Sequence, residues 1–219
     1  MVGVEVYAVD GHLVAVRHAP PANPDRFPVP APGRRVLRMR ADVRISEAPR
    51  DEVLARLEEF GGVYARTFGA PGYDEPLEAA QRFQEEQLPR HAGRDGFRCV
   101  VARRGETMLG FAYGYTGERG QFWSDWVAGR VPEQITDAWV GGHFEFVELA
   151  VDPGEQGHGI GGALHDALLV GLPHERALLS TYRDDRPAPR LYRRRGWELL
   201  FEGLDNNSDL YGLKLGQAR

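Results

Sequence analysis

The chain has 219 residues, 42% of them hydrophobic and 27% charged, and a formal net charge of −5. That composition fits a soluble globular protein large enough to bury a core. It gives no general attraction to nucleic acid or anionic membrane, and no run approaches the roughly 18 apolar residues of a membrane span. One cysteine, Cys99, excludes an intramolecular disulfide, and the N-terminus lacks the basic start and apolar run of a secretory signal, so the expected compartment is the cytoplasm.

Residues 4–9 and 13–16 flank Asp10-Gly11 and predict a β-hairpin. Residues 20–33 hold six of the fifteen prolines and exclude regular structure. Residues 1–33 therefore read as a hairpin and proline-rich strap ahead of a domain over 34–219. Residues 35–45 alternate as a strand. A helix is expected over 49–67, with Val53, Leu54, Leu57, Phe60, Val63 and Tyr64 in one stripe, and another over about 76–91, with Leu77, Ala80, Phe83 and Leu88 inward. Residues 97–102 and 108–115 then form a hairpin around Arg104-Gly105-Glu106, with Cys99 an inert core thiol.

Residues 121–142 separate two strands that a short loop could join. They carry Trp123, Trp126 and Trp139, three of the four tryptophans. So much aromatic surface reads either as the wall of a ligand pocket or as the core of a small extra helix, and both readings stand. Asp125 and Glu133 suit either a cationic ligand or plain solvation.

Residues 144–151 form an apolar, β-branched run closed by Asp152-Pro153-Gly154, the pattern of a strand ending in a turn. Beyond Gln156-Gly157-His158-Gly159, an apolar helical stripe runs through Ile160, Ala163, Leu164, Ala167 and Leu168, ended by Gly171 and Pro173. A glycine loop that opens a helix leaves backbone N–H groups unpaired where the helix dipole is positive, which makes an anion site suited to phosphate. Gly157, Gly159 and Gly162 match the dinucleotide pattern G-x-G-x-x-G, a weak signal alone, and the Gly-Lys-Ser/Thr of a P-loop is missing. Too little chain follows Gly162 for the further βα units of a dinucleotide fold, and hairpin-like strands precede the loop.

The same letters satisfy Gln/Arg-x-x-Gly-x-Gly/Ala, as Gln156, Gly159 and Gly161, directly after Glu148-Leu149-Ala150-Val151. In this the chain resembles the GNAT superfamily of acetyl-coenzyme A-dependent N-acetyltransferases. Residues 188–197, Ala-Pro-Arg-Leu-Tyr-Arg-Arg-Arg-Gly-Trp, are similar to the family's second signature, Ala-x-x-Leu-Tyr-x-x-x-Gly-Phe, with Trp197 in place of Phe. With strands over 177–182, 197–201 and 209–215, the element order β, α, α, β, β, β, α, β, α, β, β is that of the family. The resemblance implies an α/β fold of the mixed α+β kind: a central, mostly antiparallel mixed sheet flanked by helices, here with an added N-terminal hairpin.

Acetyl transfer to an amine needs the amine neutral, the oxyanion stabilised and the leaving thiolate protonated. An alkyl amine with a pKa near 10 is neutral about one part in a thousand at pH 7, a cost of roughly 4 kcal/mol, so a base matters. Glu148 is the candidate base, expected on the apolar face of Phe144, Phe146 and Ala150; a carboxylate that merely fixes a loop is the alternative. Glu145, expected on the opposite face, is a reserve only if a bulge shifts the alternation.

The resemblance implies that Tyr192 is the general acid at the coenzyme sulfur, although a tyrosine there also suits plain packing. It further implies that Leu149, Ala150 and Val151 present backbone to the thioester and pantetheine, and that Gln156, Gly157, His158, Gly159, Ile160, Gly161 and Gly162 hold the pyrophosphate; His158 is otherwise a solvent-facing loop residue. Arg183, Arg186, Arg190, Arg193, Arg194 and Arg195 are candidates for the 3′-phosphate but suit a solvated helix face. The expected co-substrate is acetyl-CoA without a metal. The expected acceptor is a small-molecule amine lined by Trp123, Trp126 and Trp139; a protein lysine or N-terminus, or non-catalytic acyl-CoA binding, are the alternatives. Neither a nucleic-acid nor a membrane partner is expected, and a homodimer is left open.

Overall fold

The structure, a computed structural model, describes residues 42–184 and 186–216, together with the backbone of two N-terminal strands. These are β1 (Val4–Val9) and β2 (His12–Arg17), paired antiparallel in a sheet of their own. The proline-rich segment 20–33 and most of the strand expected over 35–45 lie outside the described residues. What is described of that strand is β3, Arg44–Glu47, which already contains Ser46.

The helix expected over 49–67 is broken. Arg56 leaves helical geometry (φ −126°, ψ 28°) and divides α1 (Arg50–Ala55) from α2 (Leu57–Phe68). Val53 is buried from α1, and Phe60, Val63 and Tyr64 from α2. The second expected helix is interrupted as well. Pro89 has no N–H to give and its ring collides with the carbonyl four residues back. The chain accommodates it by widening into a π-turn at Phe83–Gln87 between α3 (Leu77–Arg82) and α4 (Leu88–Ala92). Ala80, Phe83 and Leu88 point inward as expected, but Leu77, at the very start of α3, is 65% exposed.

The main sheet follows as β4 (Arg98–Arg104), β5 (Thr107–Gly117), β6 (His143–Val151), β7 (Arg176–Tyr182), β8 (Glu198–Phe201) and β9 (Ser208–Lys214). Its spatial order is β3-β4-β5-β6-β7-β9-β8, and every pairing is antiparallel except β6 with β7. Between β5 and β6 lie α5 (Phe122–Ala128) and α6 (Glu133–Trp139); α7 (Ile160–Leu169) follows the glycine loop and α8 (Pro187–Arg194) follows β7.

Two cores sandwich the sheet. Phe60, Val63, Tyr64 and Phe83 pack on Phe111, Tyr113 and Ala150 from one side, while Ile160, Leu164, Leu168 and Tyr192 pack with Phe144 and Phe146 on the other. Cys99 lies in the first, where burial pushes its thiol up out of reach of ionisation. Among the described residues no helix is long and apolar enough to cross a membrane.

Candidate active site

Two local features of β6 open the sheet. The register with β5 slips between Tyr113, which faces Glu148, and Gly114, which faces Phe146, so Val147 is left as the extra residue of a bulge. Gly114 is required there: a Cβ would fall 2.3 Å from the Glu145 carbonyl oxygen and 2.6 Å from the Phe144 ring. On its other edge β6 pairs with β7 only at Phe144↔Ala177 and Glu145↔Leu178. Beyond Glu145 the two parallel strands diverge.

The bulge overturns the simple alternation. Phe144 and Phe146 pack in the core of α7 and α8, whereas Ala150 packs in the core of α2 and Val147 against it. Glu148 is on the α2 side, close enough for its charge to act on Tyr64 and Tyr113. It does not share a face with Phe144 and Phe146. Glu145 is on the α2 side too, where it accepts the Tyr115 hydroxyl at 2.7 Å.

The direction of the β6 amides follows from one bond. Asp152 N–H donates to the Leu109 carbonyl across β5, so the residues two and four back, Ala150 and Glu148, also turn their backbones to β5. Leu149 and Val151 turn theirs to the divergent edge. There the Leu149 N–H donates to Glu148 Oε1 at 3.2 Å, and Gln156 Nε2 donates to the Val151 carbonyl at 3.0 Å. Of the three expected backbone contributors, Ala150 is thus turned away.

The divergence holds a cavity of about 240 Å³. Glu148, Leu149, Phe146 and Tyr192 line it from β6 and α8, Tyr64, Tyr73 and Glu75 from α2 and the loop after it, and Trp123 and Trp126 from α5. Trp139 does not line it; it lies against Gly212 of β9, packed on a third core that contains Trp123, Val127, Val140 and Leu210 and that Trp126 also packs against. Trp123 and Trp126 thus fit both readings of the insertion, and Trp139 the packing reading alone. Asp125 is taken up by Arg119 at 3.0 Å and the Gly120 N–H at 3.1 Å.

The cavity perturbs its ionisable groups. The Glu148 carboxyl is pushed up to about 8, by burial first and by the Glu75 charge second, against the pull of the Leu149 N–H. Burial, then the Glu148 charge, holds the Tyr192 hydroxyl well above the ordinary phenol range. Tyr192 is walled by Phe146, His165 and Trp197, with ring centroids at 5.8, 6.2 and 5.7 Å. Trp197 Nε1 donates to His165 Nε2 at 2.8 Å, and His165 Nδ1 donates to Asp166 at 2.8 Å, which fixes the histidine tautomer. Glu75, which the sequence did not single out, accepts the Tyr64 hydroxyl at 2.9 Å.

The glycine loop follows the end of β6, the strand that lines this cavity. Gly157 and Gly159 have φ of 77° and 86°, and Gly159 is the left-handed residue that opens α7. A Cβ at Gly157 would meet nothing within 4 Å, and one at Gly161 only the tips of Val151 and Leu191 at 3.7 and 3.9 Å. The loop thus presents open backbone before the unpaired amides of the first turn of α7, which fits a pyrophosphate. His158 is half-buried, its Nδ1 3.3 Å from the Glu155 carbonyl. Among the candidate arginines, Arg183 pairs with Asp209, Arg186 with Asp184 and Arg195 with Asp166.

A splayed parallel pair, a bulge and a glycine loop now stand in one place. The family model described as Acetyltransferase (GNAT) family matches residues 58–197. The chain belongs to the GNAT acetyltransferase family. The GNAT family is one of acyltransferases that use acetyl-CoA. A curated relative, the GCN5-like protein acetyltransferase Rv2170 of Mycobacterium tuberculosis, is 38% identical over 104 residues, 44% of this chain and 50% of the relative. The chain spans about half the length of that relative. Among solved structures, PH1933 of Pyrococcus horikoshii superposes with a TM-score of 0.58 at 17% identity, covering 80% of this chain and 99% of that one. NAA60 of Arabidopsis thaliana, crystallised with a bisubstrate analogue, gives 0.51 at 18% identity, covering 80% and 100%. These two likenesses are of fold.

Proposed function

We propose that this GNAT protein transfers the acetyl group of acetyl-CoA directly to a primary amine of a small molecule, with Glu148 as general base and Tyr192 as general acid. The observation that carries the reading is the cavity at the β6–β7 divergence, which brings together Glu148, Leu149 and Tyr192 on and against the strand that leads into the glycine loop. Residues Gln156 to Gly162 bind the pyrophosphate, and the outward edge of Leu149 and Val151 receives the pantetheine arm. Glu148 takes one proton from the arriving ammonium. Once protonated it holds the Leu149 N–H less tightly, and that amide donates to the thioester oxygen as negative charge develops there. The C–N bond then forms as the C–S bond breaks, Tyr192 supplies a proton to the departing sulfur, the nitrogen's second proton passes to the Tyr192 phenolate so formed, and Glu148 gives its own to solvent as the products leave. Protonated Glu148 also no longer opposes ionisation of Tyr192, so the base, on being used, strengthens the acid.

Trp123 and Trp126 bound the acceptor, and residues 34–219 carry the whole reaction, with 1–33 an appendage to it. A second reading, a lysine or N-terminus of a protein as acceptor, draws on the printed description of the mycobacterial relative. Assay of free coenzyme A release against parallel panels of small amines and lysine peptides separates the two. Turnover of small amines is expected, and turnover of peptides alone would overturn the first reading. Gly159→Asp tests the loop: aspartate tolerates the left-handed conformation, but its carboxylate would oppose a pyrophosphate. Calorimetric titration should find coenzyme binding abolished in a folded variant, and a normal isotherm would refute the assignment.

A further inference from the structure

The cavity's ionisable lining is one-sided. Glu75, Glu148 and Asp205 face it, and among the described residues no arginine or lysine lines it. Asp205 is occupied by the backbone N–H groups of Asn207 and Ser208, at 2.8 and 2.7 Å. Glu148 and Glu75 have no ion-pair partner among the described residues. Arg186 and Arg82 act on Glu75 from beyond ion-pair range, Arg186 the more strongly, and the Arg186 Nε pairs with Asp184 at 2.6 Å. Each carboxylate has one hydrogen bond, from the Leu149 N–H and the Tyr64 hydroxyl respectively. A partly buried carboxylate without a counter-charge is costly, and two that repel each other cost more. The reaction needs only one of them.

The rest of the lining suits a cation with an apolar stem. Tyr64, Phe68, Tyr73, Trp123, Trp126 and Tyr182 supply aromatic walls. Three of these rings already carry a guanidinium, Arg130 over Trp126 at 4.3 Å and Arg186 over Tyr182 and Tyr73 at 3.9 and 4.8 Å. Tyr64 fixes Glu75 from the helix side, so the carboxylate is held in place rather than free to turn to solvent.

We infer that the acceptor is a small diamine: its reacting nitrogen meets Glu148, and its second, ammonium end is bound by Glu75 among these rings. The inference rests on the amine-acetyltransferase reading and narrows it. Glu75 is then a specificity-determining residue that takes no part in proton transfer.

The test uses 1,3-diaminopropane to 1,6-diaminohexane, each against the n-alkylamine of equal carbon number, with full-length protein and acetyl-CoA. The best diamine should exceed its monoamine in kcat/KM by about 10- to 100-fold, the worth of a hydrogen bond to a charged group, with most of the difference in KM. Glu75→Gln, which still accepts from Tyr64, should bring the ratio near one, and Glu75→Asp should restore part of it. Should Glu75→Gln fail to fold, Tyr64→Phe, which releases the carboxylate to turn away, should lower the same ratio. Calorimetric titration of the diamines in the presence of coenzyme A reads the same dependence without turnover. Equal turnover of mono- and diamines overturns the inference and leaves amine acetylation intact. Glu75-dependent diamine binding without acetylation upholds the ammonium site at Glu75 but overturns the diamine as acceptor, and with it the proposed reaction. Neither preference nor Glu75-dependent binding overturns the inference.

Discussion

Glu145 and Glu148 are three residues apart on one strand, on the same side of the sheet, and burial raises both carboxyls, to about 7 and about 8. They differ in what adjoins them. Glu145 sits where β6 is paired on both edges, with Tyr115 donating to it, 2% exposed. Glu148 sits past the bulge, where β7 has moved off and a cavity reaches it. A poised pKa therefore does not identify a base; access does, and here access comes from one slipped residue and one diverging strand.

The comparison breaks most readily at Glu148. Glu148→Gln should lower kcat/KM by about 10²- to 10⁴-fold if the carboxylate accepts the proton, with partial recovery at high pH as more amine arrives neutral. In the wild type kcat/KM should climb with pH through about 8 as Glu148 ionises, and this limb should vanish in the variant. Wild-type rates across the pH range would place the base elsewhere. Tyr192→Phe should cost about 10²-fold, with little rescue at high pH and near-normal coenzyme affinity, because the missing proton belongs to the leaving group. Gly114→Ala attacks the opening itself. Its Cβ has no room beside the Glu145 carbonyl and the Phe144 ring, so stability should fall by about 1–3 kcal/mol or more, read as a lower Tm.

A subtler effect concerns stability against pH. Folded Glu148 keeps its proton up to about 8, whereas the unfolded chain loses it in the ordinary carboxylate range. Between those limits the folded state binds more protons, so Glu148 makes stability decline as pH rises, and above them its ionised form is a standing cost. Glu148→Gln should therefore raise Tm, more above the folded pKa than near the unfolded one. Glu145→Gln should be smallest in rate, no more than about threefold, since a group that never meets the amine transfers no proton to or from it. A loss comparable to that of Glu148→Gln would reverse the assignment.

What was legible in the sequence was local. The strand before the glycine loop, the loop and the helix after it are set by residues within about two turns of each other, and Gly157, Gly159 and the Ile160, Leu164, Leu168 stripe stand as read. The face of Glu148 was not legible, because the slip that sets it depends on Gly114, in another strand. The π-turn has a signal in the sequence, Pro89 inside a helical stripe. Glu75 had none: it lies in an irregular loop after α2, and only the fold brings it to Tyr64 and the cavity. The tryptophans of the insertion could not be sorted from spacing alone, since Trp123 and Trp126 reach the cavity and Trp139 packs on Gly212.

The alternation of β6 amides has a consequence for solvent exchange. Glu148 and Ala150 turn their N–H groups into the ladder with β5, while Leu149 and Val151 turn theirs to the side that β7 has left. In deuterated water a single strand should then behave as two interleaved populations, with the even-numbered protons of 148–151 persisting and the odd-numbered ones disappearing early. A ligand laid along the divergent edge would slow the odd set alone. The strand thus reports, proton by proton, which of its sides is in use.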